Sequence, residues 1–325
     1  MCEIKEKEYS FLSNNQYSKI YVKMWIPQGE IKAILQLAHG MNEHMGRYEE
    51  FAKYLAQRGI LVVGNDHMGH GNSVSTPEDY GYFAYPVVGG TKAQREKYSS
   101  SALAVRDMYK ITKTVKKHYP GIPYYLLGHS MGSMLSQRYA VKYGSELQGM
   151  ILMGIVHVDD KLILPGRILW KIITLLKGER HRSKLYHKLI FGKYTKRIPD
   201  PKTEFDWLFT DEEELKTFMN DKKTQFIFTM NGFRVLTTTY RYIQKKTNLA
   251  KIPKDLRILI LSGSEDPCGN YGEYLNKLCA AYKGQGIKDV FGKLYVDCRH
   301  ELIHESLKHE LFKDVETWIL KSEDD

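Results

Sequence analysis

The 325-residue sequence predicts an α/β protein with a mostly parallel central sheet, helices on both faces and an inserted helical cap. Short apolar runs alternate with segments of helical spacing over most of the chain, which is the pattern of strands joined by helical crossovers. One apolar run leads directly into a Gly-x-Ser-x-Gly turn, and the alternation is interrupted between residues 157 and 235. We therefore expect one core in two parts, residues 1–156 and 236–325, with a cap at residues 157–235.

The individual elements are predicted from apolar spacing and from the turn residues that bound each run. A hairpin is predicted at residues 9–12 and 20–26, and further strands at residues 33–38, 124–127, 150–155, 257–261 and 292–296. Helices are predicted at residues 47–58, 92–118, 131–143, 271–283 and 303–320. A chain of this length accommodates a single core with one insertion.

The most informative segment is residues 124–132, Tyr-Tyr-Leu-Leu-Gly-His-Ser-Met-Gly. A buried strand that stops at a sharp turn and continues at once as a helix exposes a serine at its apex, and it needs small residues on either side. This context makes Ser130 the candidate nucleophile. The alternative is an ordinary glycine-rich turn with a solvated serine.

Two later loops supply the partners that a serine nucleophile needs. A serine hydroxyl requires an imidazole to take its proton, and a buried carboxylate to orient the imidazole. Asp266 follows the strand at 257–261, and His300 follows the strand at 292–296. The order Ser, Asp, His along the chain resembles the α/β-hydrolase fold, which implies that these three residues form a triad.

Other side chains compete for these roles. Asp159 and Asp160 follow the preceding strand and remain alternative acids. His304 is expected on the surface of the last helix, and His129 is expected to pack beside the serine rather than act as the base.

The loop after the strand at 33–38 indicates one branch of this fold. It reads His39-Gly40-Met41-Asn42-Glu43-His44-Met45-Gly46-Arg47-Tyr48 and, with residues 59–73, resembles the monoglyceride lipase and lysophospholipase branch. The resemblance implies that the amides of Met41 and Met131 bind the developing oxyanion. We expect His39, Gly40 and His129 to contact the substrate, and Asp66 and His70 to be structural. His39 and His44 have poor metal-ligand spacing, so neither a metal nor another cofactor is predicted.

The predicted cap has an unusual charge distribution. Residues 161–197 contain eleven Lys and Arg and one acid, Glu179, so this window alone carries the formal net charge of +10 of the whole chain. Within it, residues 165–177 place Ile168, Leu169 and Ile172 on one helical face, where we expect them to contact an acyl chain. Two compatible readings stay open: a lid over an acyl pocket, or contact with an anionic membrane surface. Nucleic-acid binding is not predicted, because no recognition motif accompanies the basic window.

The remaining features bear on location and reaction. The chain has no apolar run of 18 residues and no apolar leader, so a cytoplasmic protein is expected, with peripheral membrane contact left open. The four cysteines, among them Cys2, fit no metal spacing and are expected as thiols.

The predicted function is hydrolysis of a small acyl ester such as a monoacylglycerol or lysophospholipid. Aminopeptidase, amidase or acyltransferase activity with the same triad, or non-catalytic lipid binding, are the alternatives.

Overall fold

The computed structural model describes residues 3–85, 91–97 and 99–321. It contains eight strands: β1 (Ile4–Leu12), β2 (Lys19–Pro27), β3 (Ala33–Ala38), β4 (Ile60–Asn65), β5 (Tyr124–His129), β6 (Gly149–Met153), β7 (Arg257–Gly263) and β8 (Val290–Tyr295). The described α-helices are α1 (Glu49–Ala56), α2 (Lys92–Lys97), α3 (Ser100–His118), α4 (Met131–Tyr143), α5 (Asp160–Lys177), α6 (Lys184–Phe191), α7 (Glu212–Asn220), α8 (Met230–Ile243), α9 (Lys246–Leu249), α10 (Glu273–Lys283) and α11 (Lys308–Leu320).

All eight strands form one sheet in the order β1-β2-β4-β3-β5-β6-β7-β8. The first two pairings, β1 with β2 and β2 with β4, are antiparallel, and the strands from β4 to β8 are parallel. The mostly parallel sheet expected from the sequence is therefore confirmed. Because parallel strands end at the same edge, the loops after β3, β5, β7 and β8 meet there, which is where α/β sheets place their sites.

Helices cover both faces of the sheet. On one face α3, α4 and α10 pack against side chains such as Leu126, and on the other α1 and α11 pack against side chains such as Leu127. All six residues of β5 are buried, as expected for a central strand with helices on both sides.

Five helices, α5 to α9, lie between β6 and β7 in the chain, in and beyond the predicted cap. Helix α5 begins one turn earlier than the sequence suggested, because the Asp159 carboxylate caps it by accepting a hydrogen bond from the Lys161 amide at 3.0 Å. The predicted return to the core at residue 236 falls inside α8, where Val235 and Tyr240 are buried in the main core. In the described part of the chain, no helix is both long and apolar enough to cross a membrane.

Two of the five predicted core helices differ from the structure by more than two residues at an end or are divided in two. The last helix begins at Lys308 rather than at residue 303, because residues 302–304 form a 3-10 turn that buries Leu302 and Ile303 in the core. The expectation that His304 lies on that helix was therefore wrong. The helix predicted at residues 92–118 is two helices, 92–97 and 100–118, and residue 98 between them lies outside the described residues.

Candidate active site

The turn after β5 holds Ser130 in a strained conformation. Its φ of 52° and ψ of −115° are rare for a residue with a side chain, and α4 begins at the next residue. A Cβ atom added to Gly128 would lie 2.3 Å from the Gly132 carbonyl oxygen, and one added to Gly132 would lie 1.9 Å from the Ala38 carbonyl oxygen. Both glycines are therefore required, and the turn packs directly against the end of β3.

Asp266 and His300 form a buried pair at the neighbouring strand ends. The Nδ1 atom of His300 lies 2.9 Å from Oδ2 of Asp266, and the other carboxylate oxygen accepts a hydrogen bond from the Cys268 amide at 2.8 Å. The Nε2 atom of His300 is buried and has no hydrogen-bond partner among the described residues. The ring is thus anchored at one nitrogen, and the other is left to take part in proton transfer.

The competing acids and bases lie elsewhere. Asp159 and Asp160 are exposed, and Asp159 caps α5. His304 pairs with Glu214, its Nδ1 atom 3.2 Å from the carboxylate. The structure therefore brings Asp266, and not the other two aspartates, to His300.

The loop after β3 is held by its first histidine. The Nε2 atom of His39 accepts a hydrogen bond from the His67 amide at 2.9 Å, so its proton resides on Nδ1, which donates to the Gly40 carbonyl at 2.8 Å. Burial lowers the pKa of His39 well below its ordinary value, in agreement with a neutral ring. Because the carbonyl and amide of one peptide point in opposite directions, this bond orients the amide of Met41.

His39 and Gly40 do not have the expected role in substrate contact. His39 is fully buried and does not line the cavity beside Ser130. Gly40 does not line it either; its amide donates to the Glu43 carboxylate, and an added Cβ would lie 2.6 Å from that group. Both residues shape the loop, while Met41 borders the cavity.

A buried group of charges lies behind the serine turn. His129 has its Nδ1 atom 3.1 Å from Glu43 and its Nε2 atom 3.2 Å from the His300 carbonyl, so both ring nitrogens face acceptors and both carry protons. Burial opposes this charge, but the Glu43 carboxylate and then Glu301 outweigh it and raise the pKa of His129 to about 9. Arg47 contacts Glu301 at 3.4 Å and Glu43 at 3.7 Å. The cation of His129 thus links the loops that carry Met41, Ser130 and His300.

Few features of the sequence indicated that Glu43 and Glu301 belong to this group. Burial of the carboxyl group, and then the Glu43 carboxylate beside it, raise the pKa of Glu301 to about 7. The position of Glu301 directly after the candidate base, in a loop flanked by apolar residues, is the one signal that could have identified it.

One cavity of about 320 Å³ opens beside the serine, and Met41, Ser130, Met131 and His300 all line it. Its walls are mostly apolar and include Leu162, Ile163, Ile190, Trp207 and Leu236.

Ile168, Leu169 and Ile172, which we expected to contact an acyl chain, are not among the lining residues. Ile168 and Ile172 are about half exposed, at 51% and 49%, and Leu169 packs against the core. Residues of the first two turns of α5, among them Leu162 and Ile163, line the cavity instead, and none of residues 168–177 does.

Two sets of described side chains bring three metal-ligating groups within 4.8 Å of one another. One is Asp266, Cys268 and His300; the other is Glu43, His129 and Glu301. In the first set, the Asp266 carboxylate already pairs with His300. In the second set, the Arg47 guanidinium already lies beside the carboxylates of Glu43 and Glu301. His39 and His44 belong to neither set, since His44 pairs with Asp221 at 2.7 Å.

The sheet order, the strained serine turn after β5 and the helices on both faces define an α/β-hydrolase. The chain belongs to the Hydrolase_4 family, described as serine aminopeptidase, S33, whose model matches residues 29–307. Within that family it lies in the branch similar to monoglyceride lipases, and it is a serine hydrolase of the esterase and lipase type.

Individual relatives give the extent of the similarity. A monoglyceride lipase homolog of Monkeypox virus is 28% identical over 315 residues, 95% of this chain and 96% of that protein. The monoglyceride lipase of Rattus norvegicus is 35% identical over 141 residues, 43% of this chain and 40% of that protein. A highly thermostable carboxyl esterase from Bacillus coagulans, solved in complex with glycerol, superimposes with a TM-score of 0.86 at 26% identity, covering 98% of this chain and all of that one.

Proposed function

We propose that the protein hydrolyses the ester of a monoacyl lipid through a covalent acyl-enzyme. The observation that carries this proposal is the position of Ser130, strained at the end of β5 and bordering an apolar cavity that His300 also lines. Ser130 is the nucleophile, His300 the general base and Asp266 the residue that orients His300.

In the proposed reaction the Ser130 hydroxyl oxygen forms a bond to the ester carbonyl carbon, and its proton passes to Nε2 of His300. The carbon–oxygen bond to the alcohol then breaks, and the imidazolium returns that proton to the leaving alkoxide. A water molecule attacks the acyl-enzyme, His300 takes its proton, and the fatty acid leaves as the proton returns to Ser130. Asp266 keeps the Nδ1 proton in place and stabilises the imidazolium in both halves.

We propose that two backbone amides donate hydrogen bonds to the negative charge that develops on the carbonyl oxygen. The Met131 amide lies at the start of α4, where the helix dipole favours an anion, and the Met41 amide is oriented by the His39 bond to the Gly40 carbonyl. Both residues border the cavity that also contains the serine.

The substrate class follows from the cavity. Aliphatic and aromatic side chains dominate its walls, so an acyl chain fits it better than a polar group does. The two sequence relatives are named a monoglyceride lipase homolog and a monoglyceride lipase, which supports a monoacylglycerol as the substrate. The family description also names an aminopeptidase, and the carboxylates of Asp159 and Glu204 at the cavity are groups that a peptide amine could contact.

We further propose that the cap contacts an anionic lipid surface. Leu164, Leu175 and Leu176 on α5 and Leu185 on α6 are 61%, 86%, 72% and 65% exposed, an apolar surface without a partner among the described residues. The same helices also carry exposed lysines, including Lys171, Lys177, Lys184 and Lys188. An apolar surface bordered by cations complements the interface of a membrane that contains anionic lipids.

A substrate panel tests the reaction. We expect monoacylglycerol and medium-chain p-nitrophenyl esters to be hydrolysed, and an aminoacyl anilide to be cleaved at least a hundredfold more slowly. A fluorophosphonate should label the protein once per chain, at Ser130. Faster turnover of the anilide would replace the esterase proposal with the aminopeptidase, and absence of labelling would favour a non-catalytic lipid-binding protein.

A further inference from the structure

Asn42, the residue after Met41, has an unusual backbone. Its φ is 57°, in the left-handed region that costs most side-chain-bearing residues energy and that asparagine tolerates better than most. Only 8% of the residue is exposed. A tight turn of the loop is therefore fixed directly after the proposed oxyanion donor.

The side chain of Asn42 reaches from this loop into the cap region. Its Nδ2 atom donates to the Thr224 carbonyl at 2.7 Å and to the Phe226 carbonyl at 2.5 Å. A second contact joins the same two segments, since Nε2 of His44 lies 2.7 Å from the Asp221 carboxylate. The loop that follows β3 is thus fastened to residues 221–226, which we call the anchor segment.

The anchor segment is itself held firmly. Thr224 is fully buried, its hydroxyl donates to the Phe218 carbonyl at 2.7 Å, and its amide donates to the Asp221 carbonyl at 3.0 Å. The ring of Phe226 stacks on that of Tyr80 at 5.1 Å. Two of its carbonyls are therefore fixed acceptors for the Asn42 carboxamide.

Met41 consequently lies between two restrained residues. On its N-terminal side, His39 and Glu43 hold the carbonyl and the amide of Gly40. On its C-terminal side, the left-handed conformation and the side-chain bonds of Asn42 direct the path of the chain towards Glu43.

We infer that Asn42 is a positioning residue that makes the orientation of the Met41 amide depend on the anchor segment. Removal of its two donated bonds frees the turn on one side, so the amide is no longer aimed at the oxyanion. This inference rests on the proposed oxyanion role of Met41. It places part of the transition-state stabilisation under the control of the anchor segment, none of whose residues lines the cavity, through Asn42, which does.

Three substitutions separate the backbone from the side chain. Asn42→Asp keeps the shape but directs a carboxylate at two carbonyl oxygens. Asn42→Gly adopts the same φ without strain and loses only the two bonds. Asn42→Ala loses the two bonds and also adopts this φ only with strain. Lys222→Ala, an exposed position of the anchor segment, is the matched control.

The readouts are kcat and KM for a soluble p-nitrophenyl ester, per active site titrated, and the rate of fluorophosphonate labelling. A lost oxyanion donor costs about 100- to 1000-fold in kcat, so a misaimed one in Asn42→Asp should cost about 10- to 100-fold, with KM changed less than about threefold. The labelling rate should fall by the same factor, because the phosphoryl oxygen uses the same donors. Asn42→Gly should lose about three- to tenfold, and Lys222→Ala should match the wild type.

Wild-type kcat per active site in Asn42→Asp, or a loss confined to KM, would overturn the inference. If Asn42→Asp fails to fold, the Asn42→Gly variant decides by the same criteria. Failure of the wild type to be labelled at Ser130 would instead overturn the proposed function, so the two results are distinguishable.

Discussion

The edge of the sheet that carries Ser130 and the helix α5 of the cap region are built under different constraints. At the serine turn, close contacts dictate almost every residue: a methyl group on Gly128 or Gly132 would collide with backbone oxygens. Along α5, none of the eighteen residues is fully buried, and several large apolar side chains face outward. The serine turn can be recognised from local sequence because it tolerates few other residues. The exposure of each α5 side chain depends instead on how the rest of the protein packs around the helix.

The largest effect is expected at the serine turn. Ser130→Ala removes the proposed nucleophile, and loss of a triad serine in subtilisin costs about a millionfold in kcat. We expect ester hydrolysis to fall to the background rate and fluorophosphonate labelling to disappear, with the thermal unfolding midpoint within a few degrees of the wild type. Residual activity above about 1% in purified protein would remove Ser130 from the mechanism.

The acid gives the next largest effect. Asp266→Asn leaves His300 without its carboxylate partner, and the corresponding change in serine proteases lowers kcat by about ten-thousandfold. Asp160→Asn, an exposed position that does not line the cavity, is the matched control and should keep wild-type kcat. Steady-state kinetics with one soluble ester compare the two variants. An inactive Asp160→Asn variant together with an active Asp266→Asn variant would assign the acid to the loop after β6.

These two predictions concern residues whose neighbours along the chain already indicated a strand end, and that is why the sequence alone could single them out as candidates. Helix α4 was predicted with both ends correct, because Gly128 to Gly132 mark its start. By contrast, the hydrogen bond of His39 to the Gly40 carbonyl and the contact between Glu43 and His129 depend on loops brought together by the sheet. The outward orientation of Ile168 and Ile172 depends on how α5 packs against the core, which no local pattern determines.

Stability at alkaline pH should report the buried cation behind the serine. The pKa of His129 in the folded protein is about 9, above its ordinary value of 6.5. Its contribution to the stability of the fold is therefore fully present below pH 6.5 and is lost as pH rises through 9. That shift corresponds to about 3 kcal/mol. We expect the free energy of urea unfolding to fall between pH 7 and pH 10.

His129→Asn provides the comparison for this prediction. The amide carries no titrating proton, so the variant should be less stable than the wild type at pH 7 and should lose much less stability between pH 7 and pH 10. An equal decline in both proteins would mean that His129 is not charged in the folded state.

The smallest effect is expected on the cap surface. Lys171→Glu with Lys177→Glu reverses two exposed charges of α5, and each basic residue near an anionic surface contributes about 1 kcal/mol. Binding to vesicles with anionic lipid should weaken by about tenfold or more at low salt, and hydrolysis of a short soluble ester should be unchanged.

The control for this surface is Lys113→Glu with Lys117→Glu, at the exposed end of α3 that precedes β5 and so lies at the opposite edge of the sheet. It changes the net charge equally and should retain vesicle binding. Equal sedimentation of all three proteins, or sedimentation with zwitterionic vesicles alone, would remove the membrane contact from the proposed function.

The contact between Gly132 and the end of β3 also has a consequence for engineering. Because the Ala38 carbonyl lies within 1.9 Å of the position that a Cβ on Gly132 would take, any larger residue there must displace β3 and the loop that carries Met41. Libraries that randomise the serine turn will therefore yield mainly inactive proteins. Diversity directed at Leu162, Ile163 and Ile190, whose helices α5 and α6 lie outside the sheet, changes the cavity wall and leaves the spacing of these loops intact.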